Sequence, residues 1–570
     1  MEISQKNRWV LKPEVESTVI KHLMNELKVD AKMAELLALK GIHTFDAAHN
    51  FFRPSLERLH DPFLMKDMSI AVSRILKAIN EKEHIMIYGD YDVDGTTSVS
   101  MMYMFISSLS KNVTHYIPDR YAEGYGVSFQ GIQYAIDNDI SLIISLDCGI
   151  KAVDKVKMAQ DSLIDFIICD HHLPGEIMPE AKAILDPKQK DCEYPYKELS
   201  GCGVGFKLIQ AICKELSLPN NVYEQYLDLV AVSIAADIVP ITDENRILAY
   251  YGLKKLKEDP NIGLEALLLN FDKPDFTISD VVFKIAPKIN AAGRIEHADL
   301  AVHLLTSKNY DEVEKIARQI RGLNTERKTL DADVTQEALV QIVENNEENN
   351  AASVVFGKNW HKGVLGIVAS RLTESYYRPT LVFTESNGKM VASARSVKGY
   401  NVYDALDHCS EYLEQFGGHK YAAGLTMASE QYPLFKKAFE EEVKKTIPKS
   451  LLIPQIEIDT ELKLVDVTPK FNRILKQFAP FGPQNMRPVF LTKNVFDSGY
   501  AKAIGNENKH LKMNLYQEGA RNIFQAIGFG LGSYLPQIKN KPFDIVYTVE
   551  ENYWQGKSHI QLNIKDIRIN

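Results

Sequence analysis

The stretch Ile85-Met-Ile-Tyr-Gly-Asp90-Tyr-Asp92-Val-Asp94-Gly-Thr-Thr-Ser98 is an apolar run followed by three carboxylates at alternate positions. An uninterrupted apolar run of this kind is typical of a strand that is buried on both faces of a sheet. Carboxylates this close repel one another unless a positive charge lies between them, and hard oxygen ligands favour Mg²⁺ or Mn²⁺. A solvated acidic turn has the same pattern, so this stretch alone leaves both interpretations open.

Two more apolar runs end in acidic or histidine residues. The run that ends at Leu146 is followed by Asp147, and the run that ends at Cys169 is followed by Asp170-His171-His172. For Asp147 a helix N-cap is the alternative interpretation. A histidine ligand usually needs a second group to fix its tautomer, and we expect Asp170 to have that role.

A fourth acidic residue, Asp237, lies in the apolar helical pattern Ser233-Ile-Ala-Ala-Asp-Ile-Val-Pro240. A carboxylate inside such a helix is costly to bury unless it is paired or bound to a metal, although a backbone amide could also satisfy it. Four such motifs at one edge of a sheet favour a site for two divalent ions, with Asp147 as the bridge. A site of that kind hydrolyses phosphate esters.

The rest of the chain predicts an α/β protein with a C-terminal all-β part. Apolar strand candidates alternate with helical patterns, which implies a parallel sheet; the candidates are His84–Tyr88, Asn112–Ile117, Leu142–Leu146, Phe166–Cys169 and Ala183–Leu185. A long helix is predicted from about residue 311 to 343, a second α/β pattern follows over 351–447, and alternating strands near the C-terminus predict a small barrel.

Composition excludes few classes of function. The net charge is −9, but residues 454–570 carry 15 Lys/Arg against 11 Asp/Glu, so the barrel is the basic part. No apolar run is long enough to span a membrane, and the N-terminal residues lack the apolar core of a signal peptide. Six cysteines without a Cys-x-x-Cys pair favour a reducing, cytoplasmic location.

Taken together, the acidic motifs resemble the DHH phosphoesterase superfamily, and more narrowly its bacterial exonucleases that are specific for single strands. The resemblance covers most of the chain, from about residue 40 onwards, and includes Ile289-Asn-Ala-Ala-Gly-Arg294-Ile, Ser393-Ala-Arg395-Ser, Gly417-Gly-His419-Lys-Tyr-Ala-Ala-Gly424 and Pro480-Phe-Gly-Pro-Gln-Asn-Met-Arg-Pro-Val-Phe490. It implies five parts: a helical segment at 1–80 packed on the catalytic domain, a DHH catalytic domain at 81–305, a connecting helix and linker at 306–350, a DHH-associated α/β domain at 351–453, and an OB-fold barrel at 454–570.

The resemblance also implies roles for individual residues. The implied metal ligands are Asp90, Asp92, Asp94, Asp147, His171 and Asp237, with Asp90 either a ligand or an orienting residue. The implied catalytic residues are Asp94, Asp147, His171 and His172, of which His172 contacts the scissile phosphate or acts as a general acid. The implied substrate-binding residues are Arg120, Tyr125, Asn290, Arg294, Ser393, Arg395, Gly417, Gly418 and His419. Many superfamily members have a histidine where this chain has Tyr88.

Among the substrate-binding residues, Arg120, Ser393 and Arg395 would capture a 5′-terminal phosphate. Tyr125 lies between two glycines and would stack on a base, which requires no sequence readout. Arg294 is expected in a turn, and the Gly417-Gly418 pair is expected in another turn where backbone approaches a phosphate closely.

The implied function is a 5′-to-3′ exonuclease that uses two Mn²⁺ or Mg²⁺ ions to degrade single-stranded DNA to 5′-mononucleotides in DNA repair and recombination. The implied partners are single-stranded DNA, a single-strand-binding protein and a RecQ-type helicase, and a monomer is expected. Three alternatives stay open at this point: a DHH-family hydrolase of short oligonucleotides or small phosphoesters, a non-catalytic scaffold, and purely structural metals.

Overall fold

The computed structural model describes residues 7–269, 275–519, 522–554 and 557–569, which divide into two compact units. The larger unit comprises residues 9–118, 125–286 and the chain from residue 456 onwards. The smaller unit comprises residues 119–124 and 287–455, together with Asn7 and Arg8.

The chain up to residue 280 alternates between strands and helices after a helical start. Its elements are β1 (Arg8–Leu11), α1 (Ser17–Leu27), α2 (Ala31–Ala38), α3 (Phe45–Phe52), α4 (Met68–Glu81), β2 (Ile85–Gly89), α5 (Val93–Leu109), β3 (Val113–Tyr116), α6 (Phe129–Asp137), β4 (Leu142–Leu146), α7 (Val153–Asp161), β5 (Asp165–Cys169), β6 (Ala183–Leu185), α8 (Gly201–Glu215), α9 (Asn221–Glu224), α10 (Leu227–Ala236), α11 (Asp243–Glu258), α12 (Ile262–Leu267) and α13 (Ile278–Asp280).

Five of these strands form a parallel sheet in the order β3-β2-β4-β5-β6. β2 and β4 are buried along their whole length, which explains why their sequences are almost entirely apolar. Each strand end lies within one residue of its predicted position, so the predicted parallel sheet is confirmed. Because β2, β4 and β5 are neighbours and run in the same direction, their carboxyl ends lie side by side.

The smaller unit is a second α/β assembly. Its elements are α14 (Ala286–Ile295), α15 (Asp299–Thr306), α16 (Tyr310–Glu344), β7 (Ser353–Phe356), α17 (Leu365–Tyr376), β8 (Thr380–Ser386), β9 (Lys389–Arg395), α18 (Val402–Asp407), β10 (Gln415–His419), β11 (Ala422–Met427) and α19 (Tyr432–Thr446). The strands form a sheet in the order β10-β11-β9-β8-β7, in which β7 and β8 pair in parallel and the other pairs are antiparallel. The predicted long helix corresponds to the 35-residue α16.

The C-terminal part of the larger unit is a closed barrel. The elements from residue 455 onwards are β12 (Gln455–Ile458), which lies outside the barrel sheet, and then β13 (Thr460–Glu461), α20 (Pro469–Lys476), β14 (Phe490–Asp497), β15 (Lys502–Ile504), β16 (His510–Gln517), β17 (Phe524–Gly528), α21 (Leu535–Ile538), β18 (Phe543–Trp554) and β19 (Lys557–Ile569). The order β14-β18-β19-β17-β16 closes because β16 pairs again with β14. Closure leaves none of these five strands as a free edge, and the predicted all-β barrel is confirmed.

The N-terminal helices differ from the expectation that residues 1–80 pack on the catalytic domain. α1, α2 and α3 share a hydrophobic core with the barrel, to which Leu23, Leu36 and Leu37 contribute fully buried side chains. α4 instead lies against β6 and α8 of the parallel sheet assembly. An amphipathic pattern shows which face of a helix is buried, but it does not identify the surface that buries it. In the described part of the chain, no helix combines the length and the hydropathy that a bilayer crossing needs.

Candidate metal and phosphate sites

Three acidic residues directly follow neighbouring strands of the parallel sheet: Asp90 follows β2, Asp147 follows β4 and Asp170 follows β5. Asp92 is the N-cap of α5, where its side chain accepts a hydrogen bond from the Gly95 amide at 3.0 Å. The carboxylates meet at the edge of the sheet because adjacent parallel strands end together, which is where open α/β sheets bind their ligands.

Asp94 is buried, and its carboxylate accepts three short hydrogen bonds. Its carboxylate accepts hydrogen bonds from the amides of Gly201 and Cys202 at 2.7 and 2.8 Å, and from Ser233 Oγ at 2.6 Å. These two amides belong to the first turn of α8, where the helix dipole also favours a negative charge. Asp94 therefore remains in one position although it lies among other carboxylates.

The His171 ring lies between three carboxylates. Its Nε2 is 3.2 Å from Asp147 Oδ1, 3.6 Å from Asp237 Oδ2 and 3.9 Å from Asp94 Oδ2. Within the described ranges of the chain, neither nitrogen of this buried ring has a hydrogen-bond partner. An imidazole and carboxylates that converge without bonding one another form the donor set that Mn²⁺ or Mg²⁺ takes in proteins.

Two groups of potential ligands overlap at His171. One consists of Asp94, His171 and Asp237, and the other of Asp147, His171 and His172; within each group the ligand atoms lie within 4.8 Å of one another. Asp237 is the C-cap of α10, immediately after the helix in which it was predicted. The geometry thus brings together five of the predicted metal-site and catalytic residues, with four of them around the imidazole of the fifth, His171.

Asp90 and Asp92 are in neither group. One carboxylate oxygen of Asp90 accepts a hydrogen bond from the Gly126 amide at 3.0 Å. One oxygen of Asp92 likewise accepts a hydrogen bond from the Gly95 amide. Each side chain therefore fixes nearby backbone with one of its two carboxylate oxygens.

The pKa values of the cluster reflect crowded charge in a buried place. Burial raises the pKa of Asp147 well above its ordinary value, and the carboxylates of Asp94 and Asp92 raise it further. Burial and the same two neighbours raise the pKa of Asp237 to about 8. Burial lowers the pKa of His171, which favours the neutral imidazole that ligates metals. A bound divalent cation would relieve this repulsion.

Asp170 orients His172, not His171 as predicted. Its Oδ1 lies 2.7 Å from His172 Nδ1 and also accepts hydrogen bonds from the backbone amides of both histidines. Its Oδ2 accepts a hydrogen bond from the Ile150 amide at 2.9 Å. Burial would raise the pKa of Asp170, but the hydrogen bond and charge of His172 and the Ile150 amide lower it to about 2. Burial would lower the pKa of His172, but Asp170 raises it to about 8. His172 is therefore held in one orientation as a cation.

Tyr88 supports a loop beside the cluster. Its buried hydroxyl donates to the Gly126 carbonyl at 3.0 Å and accepts from the Ser128 amide at 3.1 Å. The loop carries Tyr125, whose side chain is 53% exposed and whose hydroxyl is 3.3 Å from His172 Nε2. A flat, exposed ring beside the cluster is suited to stacking on a base.

The smaller unit contains a cluster of arginines. Arg294 lies in the last turn of α14 and donates from Nη1 to the Gly363 carbonyl at 3.0 Å, whereas the sequence had predicted a turn at this position. Tyr121 donates from its hydroxyl to the Arg294 carbonyl. Burial lowers the pKa of Arg294 to about 10, and the charges of Arg120 and Arg395 contribute to this decrease. Positive groups lower one another's pKa by repulsion, and a bound anion would relieve that repulsion.

Arg395 and Ser393 lie two residues apart on β9, which places them on one face of the strand. A Cβ atom at Gly366 would be only 2.7 Å from Arg395 Nη2, so this guanidinium lies against the first turn of α17. The N-terminus of a helix favours phosphate. Asn290 precedes Arg294 by four residues on α14 and therefore shares its face.

Gly417, Gly418 and His419 lie in β10, an exposed edge strand, and the predicted turn is wrong. Adjacent glycines often mark a turn, but glycine also occurs in strands where another backbone approaches closely. An edge strand keeps unpaired backbone groups on one side, so a phosphate-binding role for these residues does not need the turn.

The sequence patterns did not predict that Ser233 and the Gly201 and Cys202 amides hold Asp94. Ser200 precedes a glycine-rich helix start, which is an N-cap signal, and Ser233 lies four residues before Asp237 on the same helix face. Both signals are present in the sequence, but neither indicates which carboxylate the donors hold.

The parallel sheet and its acidic edge define the DHH class of phosphoesterases. The DHH family N-terminal domain model matches residues 84–234, and the DHHA1 domain model matches residues 347–445. The RecJ OB domain model matches residues 458–566.

Relatives that match most of this chain identify a family within the DHH class. The Bacillus subtilis (strain 168) protein named single-stranded-DNA-specific exonuclease RecJ is 38% identical over all of this chain and 71% of its own length. The Haemophilus influenzae protein of the same name is 32% identical over 89% of this chain and 92% of its own length. The crystal structure of Thermus thermophilus RecJ in complex with Mn²⁺ is similar with a TM-score of 0.84 and 26% identity, over 98% of this chain and 79% of that one. The chain belongs to the RecJ family of single-stranded-DNA-specific exonucleases.

Proposed function

We propose that this protein is a single-strand-specific exodeoxyribonuclease that hydrolyses phosphodiester bonds with divalent Mn²⁺ or Mg²⁺, two ions per site. The observation that carries the proposal is the pair of ligand groups that share His171 at the end of the parallel sheet. The family supports DNA as the substrate. Degradation from the 5′ end to 5′-mononucleotides, a role in DNA repair and recombination, and action as a cytoplasmic monomer belong to the same proposal.

In this proposal the ions are held by Asp92, Asp94, Asp147, His171 and Asp237, and Asp90 is either a further ligand or an orienting residue. Divalent ions bound there supply an activated water and stabilise the charge on the phosphate. Water attacks phosphorus and the bond to the 3′ oxygen breaks, which leaves a 5′-mononucleotide and a shortened strand with a new 5′ phosphate. His172, held as a cation by Asp170, contacts the phosphate or donates a proton to the leaving 3′ oxygen.

The substrate contacts proposed for the smaller unit come from Arg120, Asn290, Arg294, Ser393, Arg395, Gly417, Gly418 and His419. Guanidinium groups beside a helix N-terminus support a site for the terminal phosphate. Tyr125 would stack on a base, and the barrel would bind further nucleotides. We propose that these roles are divided among a catalytic domain at 81–305, a connecting helix and linker at 306–350, a DHH-associated domain at 351–453 and the barrel at 454–570. A single-strand-binding protein and a RecQ-type helicase are the proposed protein partners.

The decisive experiment is Mn²⁺-dependent digestion of one single-stranded DNA, labelled at either end, beside its blunt duplex. Mononucleotides released from the 5′ end alone, with the duplex spared, are the expected result. If the long strand stays intact while a dinucleotide or a nucleoside phosphate is hydrolysed, the protein is a small-substrate phosphoesterase. If no phosphoester is hydrolysed although Mn²⁺ binds, the metals are structural or the protein is a scaffold.

Arg395→Ala is expected to reduce the preference for 5′-phosphorylated over 5′-hydroxyl ends by about ten- to a hundredfold, since a hydrogen bond to a charged group contributes about 1.5–3 kcal/mol. The measurement is the ratio of initial rates on the two substrates. Arg371→Ala is the matched control, because Arg371 lies in the same unit but pairs with Asp331 at 2.6 Å. An unchanged ratio in Arg395→Ala would remove this residue from the terminal phosphate site.

A further inference from the structure

The loop between α10 and α11 carries Asp237 and has unusual backbone geometry. Ile238 has φ of +60° and Asp243 has φ of +40°. A β-branched residue with positive φ is strained, and such a conformation persists only where the surrounding structure imposes it. The position of the Asp237 carboxylate therefore depends on what holds residues 238–243.

Part of that support comes from the turn at residues 477–485, which includes the Pro480-Phe-Gly-Pro motif. The Ile241 amide donates to the Pro483 carbonyl at 2.8 Å. A Cβ atom at Gly482 would lie 2.5 Å from Ile241 Cγ1, so the two segments approach as closely as glycine allows. This contact fixes the loop four residues after Asp237.

Arg246, in the first turns of α11, holds the same turn from the other side. The buried guanidinium donates to the carbonyls of Phe478 and Ala479 at 2.9 Å and of Gln477 at 3.3 Å. It also donates to the Phe51 carbonyl at 3.0 Å and stacks on the Phe51 ring at 3.9 Å. One side chain therefore satisfies several backbone carbonyls that would otherwise be buried without partners.

The turn is rigid within itself. Asn485, 2% exposed, donates from Nδ2 to the carbonyls of Phe478 and Pro480 at 2.8 Å each. The turn connects α20 to β14 and so belongs to the barrel in sequence. Contacts at Ile241 and Arg246 thus join the barrel to the loop that carries Asp237.

We propose that the turn 477–485 is a positioning element for Asp237, and that through it the barrel sets the affinity of the Asp94–His171–Asp237 group for a divalent cation. None of the turn residues ligates the ion in this proposal; they act through the loop. The inference rests on the proposed metal-dependent function.

The test uses two substitutions that disturb the contact from opposite sides in the full-length protein. Gly482→Ala places a methyl group against Ile241, and Arg246→Gln removes the donors to the turn. We expect the dissociation constant for Mn²⁺, measured by titration of free Mn²⁺ by electron paramagnetic resonance, to rise about tenfold, as for groups that orient metal ligands. The half-saturating Mn²⁺ concentration for hydrolysis should rise equally, while kcat at saturating Mn²⁺ stays near the parent value.

The matched controls disturb comparable features elsewhere. Gly528→Ala introduces a contact of 2.7 Å with Leu531 within the barrel, and Arg378→Gln removes a guanidinium that binds the carbonyls of Glu347 and Asn350 in the smaller unit. Both should keep the parent affinity for Mn²⁺. Thermal unfolding without metal identifies any variant that does not fold. If Arg246→Gln does not fold, the Mn²⁺ affinity of Gly482→Ala alone tests the proposal.

The outcomes separate this inference from the function on which it rests. Parent-like Mn²⁺ affinity in a folded Gly482→Ala protein overturns the positioning role. An equal loss of affinity in the controls overturns it too, because the effect would then be general destabilisation. A parent protein that binds no Mn²⁺ contradicts the proposed function itself.

Discussion

Asp147→Asn is expected to lower the rate of single-strand hydrolysis by about a thousandfold, the scale observed when one transition-state contact is removed from an active site. Asparagine has the same shape but lacks the charge. Asp147 Oδ1 lies 3.2 Å from His171 Nε2, and the residue belongs to one of the two ligand groups. The measurement is the initial rate of mononucleotide release from a 5′-phosphorylated single strand at saturating Mn²⁺.

The same variant separates loss of function from loss of fold. Burial and then Asp94 and Asp92 raise the folded-state pKa of Asp147, so its stabilising contribution is complete at low pH and disappears as pH rises through that pKa. Above that pKa the charged carboxylate opposes folding in the metal-free protein. Metal-free Asp147→Asn should therefore be at least as stable as the parent at pH 8, whereas Mn²⁺ should stabilise the variant less than the parent.

Asp228→Asn is the matched control for Asp147→Asn. Asp228 is also a fully buried aspartate, but it accepts the Asn261 amide at 2.6 Å and belongs to neither ligand group. Its substitution should leave turnover close to the parent value. Parent-like turnover in a folded Asp147→Asn protein would remove the central residue of the proposed site.

The parallel sheet could be predicted because its strands carry their own signal. Leu142–Leu146, apolar except for Ser145, and Ala183–Leu185 are buried and bounded by polar residues, and both strands match their predicted ends. The carboxylates after β2, β4 and β5 could be placed together for the same reason, since neighbouring parallel strands end at one edge. The strand order therefore predicts that Asp90, Asp147 and Asp170 lie together, whereas Asp237 comes from the end of α10.

The contacts that fix those candidates could not be predicted, because they join segments far apart in sequence. Asp94 is held by amides more than one hundred residues later, and Asp170 proved to orient the ring of His172 although His171 is nearer in sequence. Side-chain partners depend on rotamers and on tertiary packing, and local patterns do not specify either. The packing of α1–α3 on the barrel has the same explanation.

Gly201→Ala is expected to reduce hydrolysis by about a hundredfold, since a displacement of roughly 1 Å in a catalytic site has effects of that size. A Cβ atom at Gly201 would lie 2.6 Å from Asp147 Cβ and 2.8 Å from Asp147 Cα and Oδ1. These atoms are backbone or close to it, and Asp147 itself has φ of +59°, so neither residue can rotate away. Either Asp147 or the first turn of α8 must therefore move.

Movement of either one disturbs the site, because the Gly201 amide also donates to Asp94 at 2.7 Å. The substitution thus acts on both ligand groups without removing any ligand, and the half-saturating Mn²⁺ concentration should rise together with the loss of rate.

Gly203→Ala tests this geometry in the same helical turn: its nearest contact would be 3.4 Å from Leu199, which is ordinary packing. Alanine at residue 203 should keep turnover and Mn²⁺ dependence near the parent values. Equal losses in the two variants would show that α8 tolerates no added methyl group, and the close approach to Asp147 would then not explain the effect.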